Sequence, residues 1–324
     1  MADIKLLPYQ EYGYNAEIKI TVRSNSVSYP EDIETLRQLV KCNVSNLVLS
    51  ASSLFMISDR IFDECQCREI ILKNVILLKD AIKSIPETVY CLDTDCYQTC
   101  IDELRVHKLL IALGSKQFNV PLGVRELMIY DSKDITIYCH DNLDKFIFSS
   151  GDATATLVNC NNLRKLKITN KASRVYGDFL EYIGCLTWNY DSMYVFNGRG
   201  HIDSICEYIS LFKNLREYNG NVRPQILQML VNVRKIKSRV KVDATIDDIP
   251  DSLEDMNFRI SGYSCSDILE KKSNIKRIMY FEIKLDPISL LNRYPNVYFY
   301  LFRGEEERDI EINNKKLTRL VDLA

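Results

Sequence analysis

The sequence predicts an α/β protein in which short parallel strands stack side by side, each returned by a brief helix or turn. Three observations carry this expectation. A skeleton of apolar-x-x-apolar-x-apolar recurs from Val44/Leu47/Leu49 to Val297/Tyr300/Phe302. Its successive starts differ by 23, 22, 17, 18, 19, 20, 22, 30, 18, 20, 22 and 22 residues, so every interval but one lies between 17 and 23. The last two apolar positions are two residues apart, which sends both to one side of a strand. A strand of about five residues then leaves roughly 12–15 for the return, enough for a parallel crossover.

The copies follow one another without a gap. After Val44 come Cys67/Ile70/Leu72, Val89/Leu92/Thr94, Val106/Leu109/Ile111, Val124/Leu127/Ile129, Leu143/Phe146/Phe148 and Leu163/Leu166/Ile168. Then come Cys185/Trp188/Tyr190, Leu215/Tyr218/Gly220, Val233/Ile236/Ser238, Leu253/Met256/Phe258 and Ile275/Ile278/Tyr280. A divergent first copy lies around Ile18 and Ile20. Several returns have helical signatures. "YPEDIETLRQLVK" offers Ser28 and Glu31 as a capping box. "GHIDSICEYISLFKN" spaces Ile202, Ile205, Ile209 and Phe212 along one helix face, which accounts for the interval of 30. "SCSDILEKKSN" and "DPISLLNRYPN" read as shorter helices, whereas the returns between Val106 and Leu163 are too brief for a full one.

Magnitudes decide that a copy is not a domain. Three buried side chains supply about 5–8 kcal/mol, and ordering some twenty residues costs about 20–40 kcal/mol. Only stacking closes that gap, by burying a continuous core and pairing strand backbones.

This pattern resembles the leucine-rich repeat across nearly the whole chain. The likeness is to irregular members, because the usual asparagine after the third apolar position is missing. "KQFNVPLGVRELMIYD" is similar to the F-N-x-P variant found in amoebae and giant viruses, and "IPETVYCLD" and "IPDSLEDMNF" share its proline before a strand. The resemblance implies a solenoid with a curved parallel sheet on its concave side and short helices and turns on its convex side. Residues 44–303 would form it, residues 1–43 an N-terminal cap with the divergent repeat, and residues 304–324 a C-terminal cap. In that cap, Ile310 and Ile312 are expected as an edge strand. The family's members commonly act as adaptors or host-interaction factors, by analogy only.

Residues between and after the last two apolar positions are expected on the concave face. Leu110, Met128, Tyr130 and Ile147 would form an apolar stripe rimmed by Lys108, Glu126 and Lys145, the pattern of a partner-binding patch. Lys165 and Lys167, with Lys235, Lys237 and Arg239 from the basic stretch 234–241, would form a second, basic patch. The expected function is a non-enzymatic scaffold or adaptor that holds a protein ligand on the concave face. Two alternatives are a nucleic-acid binder using the basic patch and a substrate receptor of a ubiquitin ligase. The first forty residues show no F-box pattern to support the last of these.

Composition narrows the classes further. With 42 basic and 44 acidic residues the net charge is -2, so bulk charge recruits neither nucleic acid nor membrane. No apolar run approaches the roughly 18 residues of a membrane span. Eleven cysteines and no export signal point to reduced thiols in the cytosol or nucleus. Cys91, Cys96 and Cys100 lack zinc-site spacing, so no metal or cofactor is expected. There is no phosphate loop or nucleophile elbow. His107, His140 and His201 are scattered, and Asp93 and Asp95 read as polar strand surface.

Overall fold

The computed structural model describes residues 2–6, 17–22, 34, 37–38, 40–41, 45–95, 98, 101–112, 116–130, 132–151, 153–169, 173–188, 206–280, 287–301 and 310–312. The chain divides into two compact units, residues 1–179 and 180–324. The proposed Ser28–Glu31 capping box, Ile202 and Ile205 lie outside the described residues.

The first unit is built on strands β1 (Ala2–Leu6), β2 (Glu17–Val22), β3 (Asn46–Ile57), β4 (Glu69–Leu77) and β5 (Cys91–Thr94). They are continued by β6 (Lys108–Ala112), β8 (Glu126–Tyr130), β10 (Lys145–Ser149) and β12 (Lys165–Ile168). From β2 to β12 every neighbouring pair is parallel. β1 alone runs antiparallel, beside β2. The divergent first copy is in register, with Ile18 opposite Leu47 and Ile20 opposite Leu49. Apolar skeleton positions are sealed inside: Leu109, Leu127, Phe146 and Phe148 are all fully buried. Along each strand they alternate with half-buried residues, the period-two signature of a strand with one core face.

The returns in this unit depart from the expectation of helices and turns. A five-residue helix α1 (Lys79–Lys83) follows β4. Farther on, the returns form a second parallel sheet from β7 (Gln117–Asn119), β9 (Ile135–Tyr138), β11 (Thr154–Val158) and β13 (Arg174–Tyr176). The reason is local. "ITIY" and "TATLV" are rich in β-branched residues, whose stiff χ1 suits a pleated surface. They bury Ile135, Ile137, Ala155 and Leu157 while turning Thr156 and Tyr138 outward.

The second unit repeats the strand theme with β14 (Cys185–Trp188), β15 (Glu217–Gly220), β16 (Lys235–Val242), β17 (Asp255–Ile260), β18 (Arg277–Tyr280) and β19 (Tyr298–Leu301), all parallel in that order. β20 (Ile310–Ile312) is the edge strand expected there, and it pairs antiparallel with β19. Here the returns are helical: α2 (Pro224–Met229), α3 (Cys265–Lys271) and α4 (Pro287–Arg293), with helical residues at 206–210. α3 begins with a capping box in which Ser264 and Asp267 satisfy each other's backbone N–H groups.

Two registers differ from expectation. Ile183, Leu186 and Trp188 are the buried triple, and Cys185 rather than Thr187 stands opposite Glu217. "YIGCLTW" carries an apolar triple two places before the one assigned; both put the indole inside, but in the earlier one Trp188 is the third apolar position, and Cys185 is only half-buried. In β19, Tyr298 rather than Phe299 stands opposite Arg277, so Phe299 points inward and is buried while Tyr298 is exposed. A slip of one residue moves every side chain to the opposite face.

Side chains tie successive coils together. Asn142, Asn162, Asn214 and Asn274 each precede the first apolar residue of a copy. Each donates its side-chain amide to a carbonyl of the coil before: Leu122 at 3.2 Å, Asp141 at 2.8 Å, Glu181 at 2.7 Å and Asp251 at 2.8 Å. An amide ladder therefore exists, but where the chain enters the strand rather than where it leaves. The prolines have a matching role. The carbonyls of Pro86, Pro121 and Pro250 accept from the N–H of Val89, Val124 and Leu253, each at 3.0 Å, closing the turn into the strand.

On the exit side of the first unit a run of serines stacks instead. Ser150 Oγ accepts from the Ser132 N–H at 2.9 Å and donates to the Ser132 carbonyl, and the Ser173 hydroxyl donates to the Ser150 carbonyl at 3.0 Å. All three serines are buried. The cysteines also depart from expectation: Cys139 and Cys160 are joined in a disulfide, 21 residues apart, with Cα atoms 5.2 Å apart. They occupy equivalent corners of successive coils, so the spacing of the repeat itself brings them together. Cys65, Cys67 and Cys91 are buried free thiols.

Replacing Ser150 by Ala leaves the buried Ser132 N–H and carbonyl without this partner. Ser150→Ala is expected to lower stability by about 1–3 kcal/mol, read as a lower urea midpoint in an unfolding titration.

Candidate functional site

The front face of the first unit gathers the residues expected to bind a partner. Parallel pairing fixes their rows. Lys108, Glu126 and Lys145 are opposite one another on β6, β8 and β10, and so are Leu110, Met128 and Ile147. A third row is Ala112, Tyr130 and Ser149. Adjacent strands are about 4.8 Å apart, so the three aliphatic side chains touch in sequence. Each is half-buried, shielded by its row neighbours and open on its outer side.

Local chemistry holds the rim. Lys145 Nζ is 3.2 Å from Glu126 Oε2, with both side chains about one-third exposed. A pair so open to water contributes only about 0.2–1 kcal/mol, so it orients the rim more than it stabilises the fold. Tyr130 is anchored rather than free. Its ring reaches past Ala112, the small member of its row, and its hydroxyl donates to Asp93 Oδ1 at 3.2 Å and lies against the Thr94 carbonyl. The apolar stripe is thus Leu110, Met128 and Ile147, and Tyr130 forms its fixed wall.

Burial has visible consequences at the β5 end. Asp93 is held above the usual carboxylate range, chiefly by burial, although the Tyr130 hydroxyl acts the other way; Glu69 and Asp95 add to the rise. The Cys91 thiol is pushed up to about 12 by burial and by Glu69 beside it. It is therefore a protonated, unreactive thiol at neutral pH.

The basic patch is divided. Lys165 and Lys167 lie on β12 in the first unit, next to Lys145 and Ile147 respectively. Lys165 Nζ is 3.7 Å from Asp144. Lys235 and Lys237 lie on β16 in the second unit, and each is half-buried. Lys235 stands between Glu217 and Asp255. Asp255 also faces Arg277 at 3.8 Å. That row alternates in sign and is not a continuous basic stripe. The pairing of β16 with β17 shifts between Lys237 and Lys241, so Lys241 and not Arg239 stands opposite Arg259. Arg239 lies in this irregular stretch, and its side chain is outside those described.

A concavity of about 680 Å³ in the first unit opens between returns lined by Lys83, Glu87, Glu103, Arg105 and Leu122. Its charges are largely spent on one another: Lys83 meets Glu103 at 2.8 Å, and Arg105 meets Glu87 at 2.5 Å. It offers a ligand less unmet chemistry than the front face does. Among the described residues no group of three or more His, Cys, Asp or Glu side chains is placed to hold a metal ion. No described helix is long and apolar enough to cross a membrane.

No protein-family model matches the chain, and no curated protein matches its sequence.

Asp93 tests the electrostatics of this face. Its carboxyl has a raised pKa in the fold, so its ionisation destabilises the folded state above that pKa and not below its unfolded value. Asp93→Asn is expected to raise the melting temperature at pH 7. The gain should shrink as pH falls and vanish below the ordinary carboxylate range. Calorimetry across a pH series checks this.

Proposed function

We propose that the chain is a non-enzymatic interaction scaffold, an adaptor that holds a protein ligand on the front face of its first unit. One observation carries this reading. Leu110, Met128 and Ile147 form an unbroken aliphatic row, open to solvent, with charged side chains along one margin. Contiguous apolar surface with a polar rim is the usual form of a protein-binding site. Nucleic acid is the weaker reading, because phosphate binding draws on lysines free to replace counter-ions and Lys235 has a carboxylate residue on either side.

The finer architecture belongs to the same proposal. Many parallel strands at a regular interval, short returns and an amide ladder support a degenerate leucine-rich-repeat solenoid, with the front face on its concave side. A role in host interaction follows from the same family likeness and from nothing else.

Met128 is at the centre of the row, so Met128→Lys is the direct test. Partner recovery on the immobilised full chain from the native cell is expected to fall. Loss of one buried Met contact costs about 1.5–3 kcal/mol, or roughly ten- to hundredfold in affinity. The circular dichroism spectrum should remain native. Unchanged recovery from a folded variant refutes the site.

A further inference from the structure

Resting on that reading, we propose that the ligand of the front face is an amphipathic helix of about thirteen residues, with a basic side chain at one end and an acidic one at the other.

The middle row of the face is polarised. From β5 to β12 it runs Asp93, Leu110, Met128, Ile147, Lys167, each opposite the next. A carboxylate closes one end of the aliphatic stripe and an ammonium closes the other. Neighbouring charges on both flanks are partly offset. Lys145 is paired with Glu126 and Lys165 with Asp144. The two row ends differ from these. Among the described residues no direct ion pair involves Asp93 or Lys167; Asp93 accepts from the Tyr130 hydroxyl and feels the Lys108 ammonium only at longer range. A ligand laid along the row therefore meets one charge of each sign that has no direct ion-pair partner among the described residues, with three aliphatic contacts between them.

Spacing selects a helix over an extended peptide. Leu110 and Ile147 are two strand steps apart, about 9.6 Å at 4.8 Å per step. Two helical turns advance about 10.8 Å, so apolar residues at i, i+3 or i+4, and i+7 meet the three side chains with about 1 Å of mismatch. Same-side residues of an extended chain repeat every 6.6 Å or so, and two repeats overshoot by about 3.6 Å. Hydrogen bonding points the same way. The backbone groups of β6, β8 and β10 are already paired within the sheet, so an extended peptide across this face finds no ladder to join. A helix brings its own hydrogen bonds. The span from Asp93 to Lys167 is four steps, about 19 Å, which is the length of about thirteen helical residues at 1.5 Å each.

The test is a displayed library of helix-forming peptides about sixteen residues long, selected on the immobilised full chain, on Met128→Lys and on Lys167→Glu. Enriched peptides are expected to carry a Lys or Arg and an Asp or Glu about thirteen residues apart, flanking an apolar i, i+3 or i+4, i+7 stripe. The best peptide, made synthetically, should lose about tenfold in affinity on Lys167→Glu and regain it when its own acidic residue is changed to Lys. Enriched apolar helices with no order of charge, or no loss on Lys167→Glu, overturn the polarised helix and leave the scaffold reading intact. Binding that persists unchanged on Met128→Lys overturns both. If no peptide is enriched and the full chain self-associates in sedimentation until Met128→Lys abolishes it, the face belongs to a second copy and the helix proposal fails.

Discussion

Register between successive parallel strands is the constraint on which the rest depends. A single coil cannot satisfy its strand backbone or hide its three apolar side chains, and both needs are met only by the coil beside it. Once Leu109 is opposite Leu127 and Leu127 opposite Phe146, the residues between them are placed as well. The front face is a by-product of core registration. Its rows exist because the core behind them is aligned to the residue. The amide donors at Asn142, Asn162, Asn214 and Asn274 act on the same alignment from the turn, where each reaches back about one repeat.

The same constraint explains how chemistry collects without a motif. Asp93, Met128 and Lys167 are far apart in the chain and belong to no local signature. Parallel stacking puts them in one row because each holds the same position in its copy. In such a protein a binding surface is written across the repeats, one residue per coil. Searches for short catalytic or ligand motifs have little purchase on it, whereas alignment of the copies against one another reveals the column.

Much of this was legible in the sequence because period-two burial survives degeneracy. Asn46, Glu69, Cys91, Lys108, Glu126, Lys145 and Lys165 all begin strands where the skeleton put them. The misses have physical causes. "VYFYLF" is apolar at every position, so alternation says nothing about which of Tyr298 and Phe299 points inward. The strands of the second sheet are three to five residues long, too short to announce a period. The expected asparagine follows the third apolar position, whereas the recurring signal is an Asn before the copy, present in sequence at Asn43, Asn142, Asn162, Asn214, Asn232, Asn274 and Asn296. The disulfide carries no local signature, because Cys139 and Cys160 are a full repeat apart and meet only through the stacking of coils.

Stacked parallel strands have no built-in stopping point, and a chain of this kind is one accident away from templating a fibre. The outermost strand described in the first unit, β1, and the outermost described in the second, β20, each run against the direction of the neighbouring strand. A second molecule trying to prolong the array by copying its own internal geometry meets a reversed strand in both places. Reversal of these short segments means that the parallel rule of the repeat is not the one its outer described strands present.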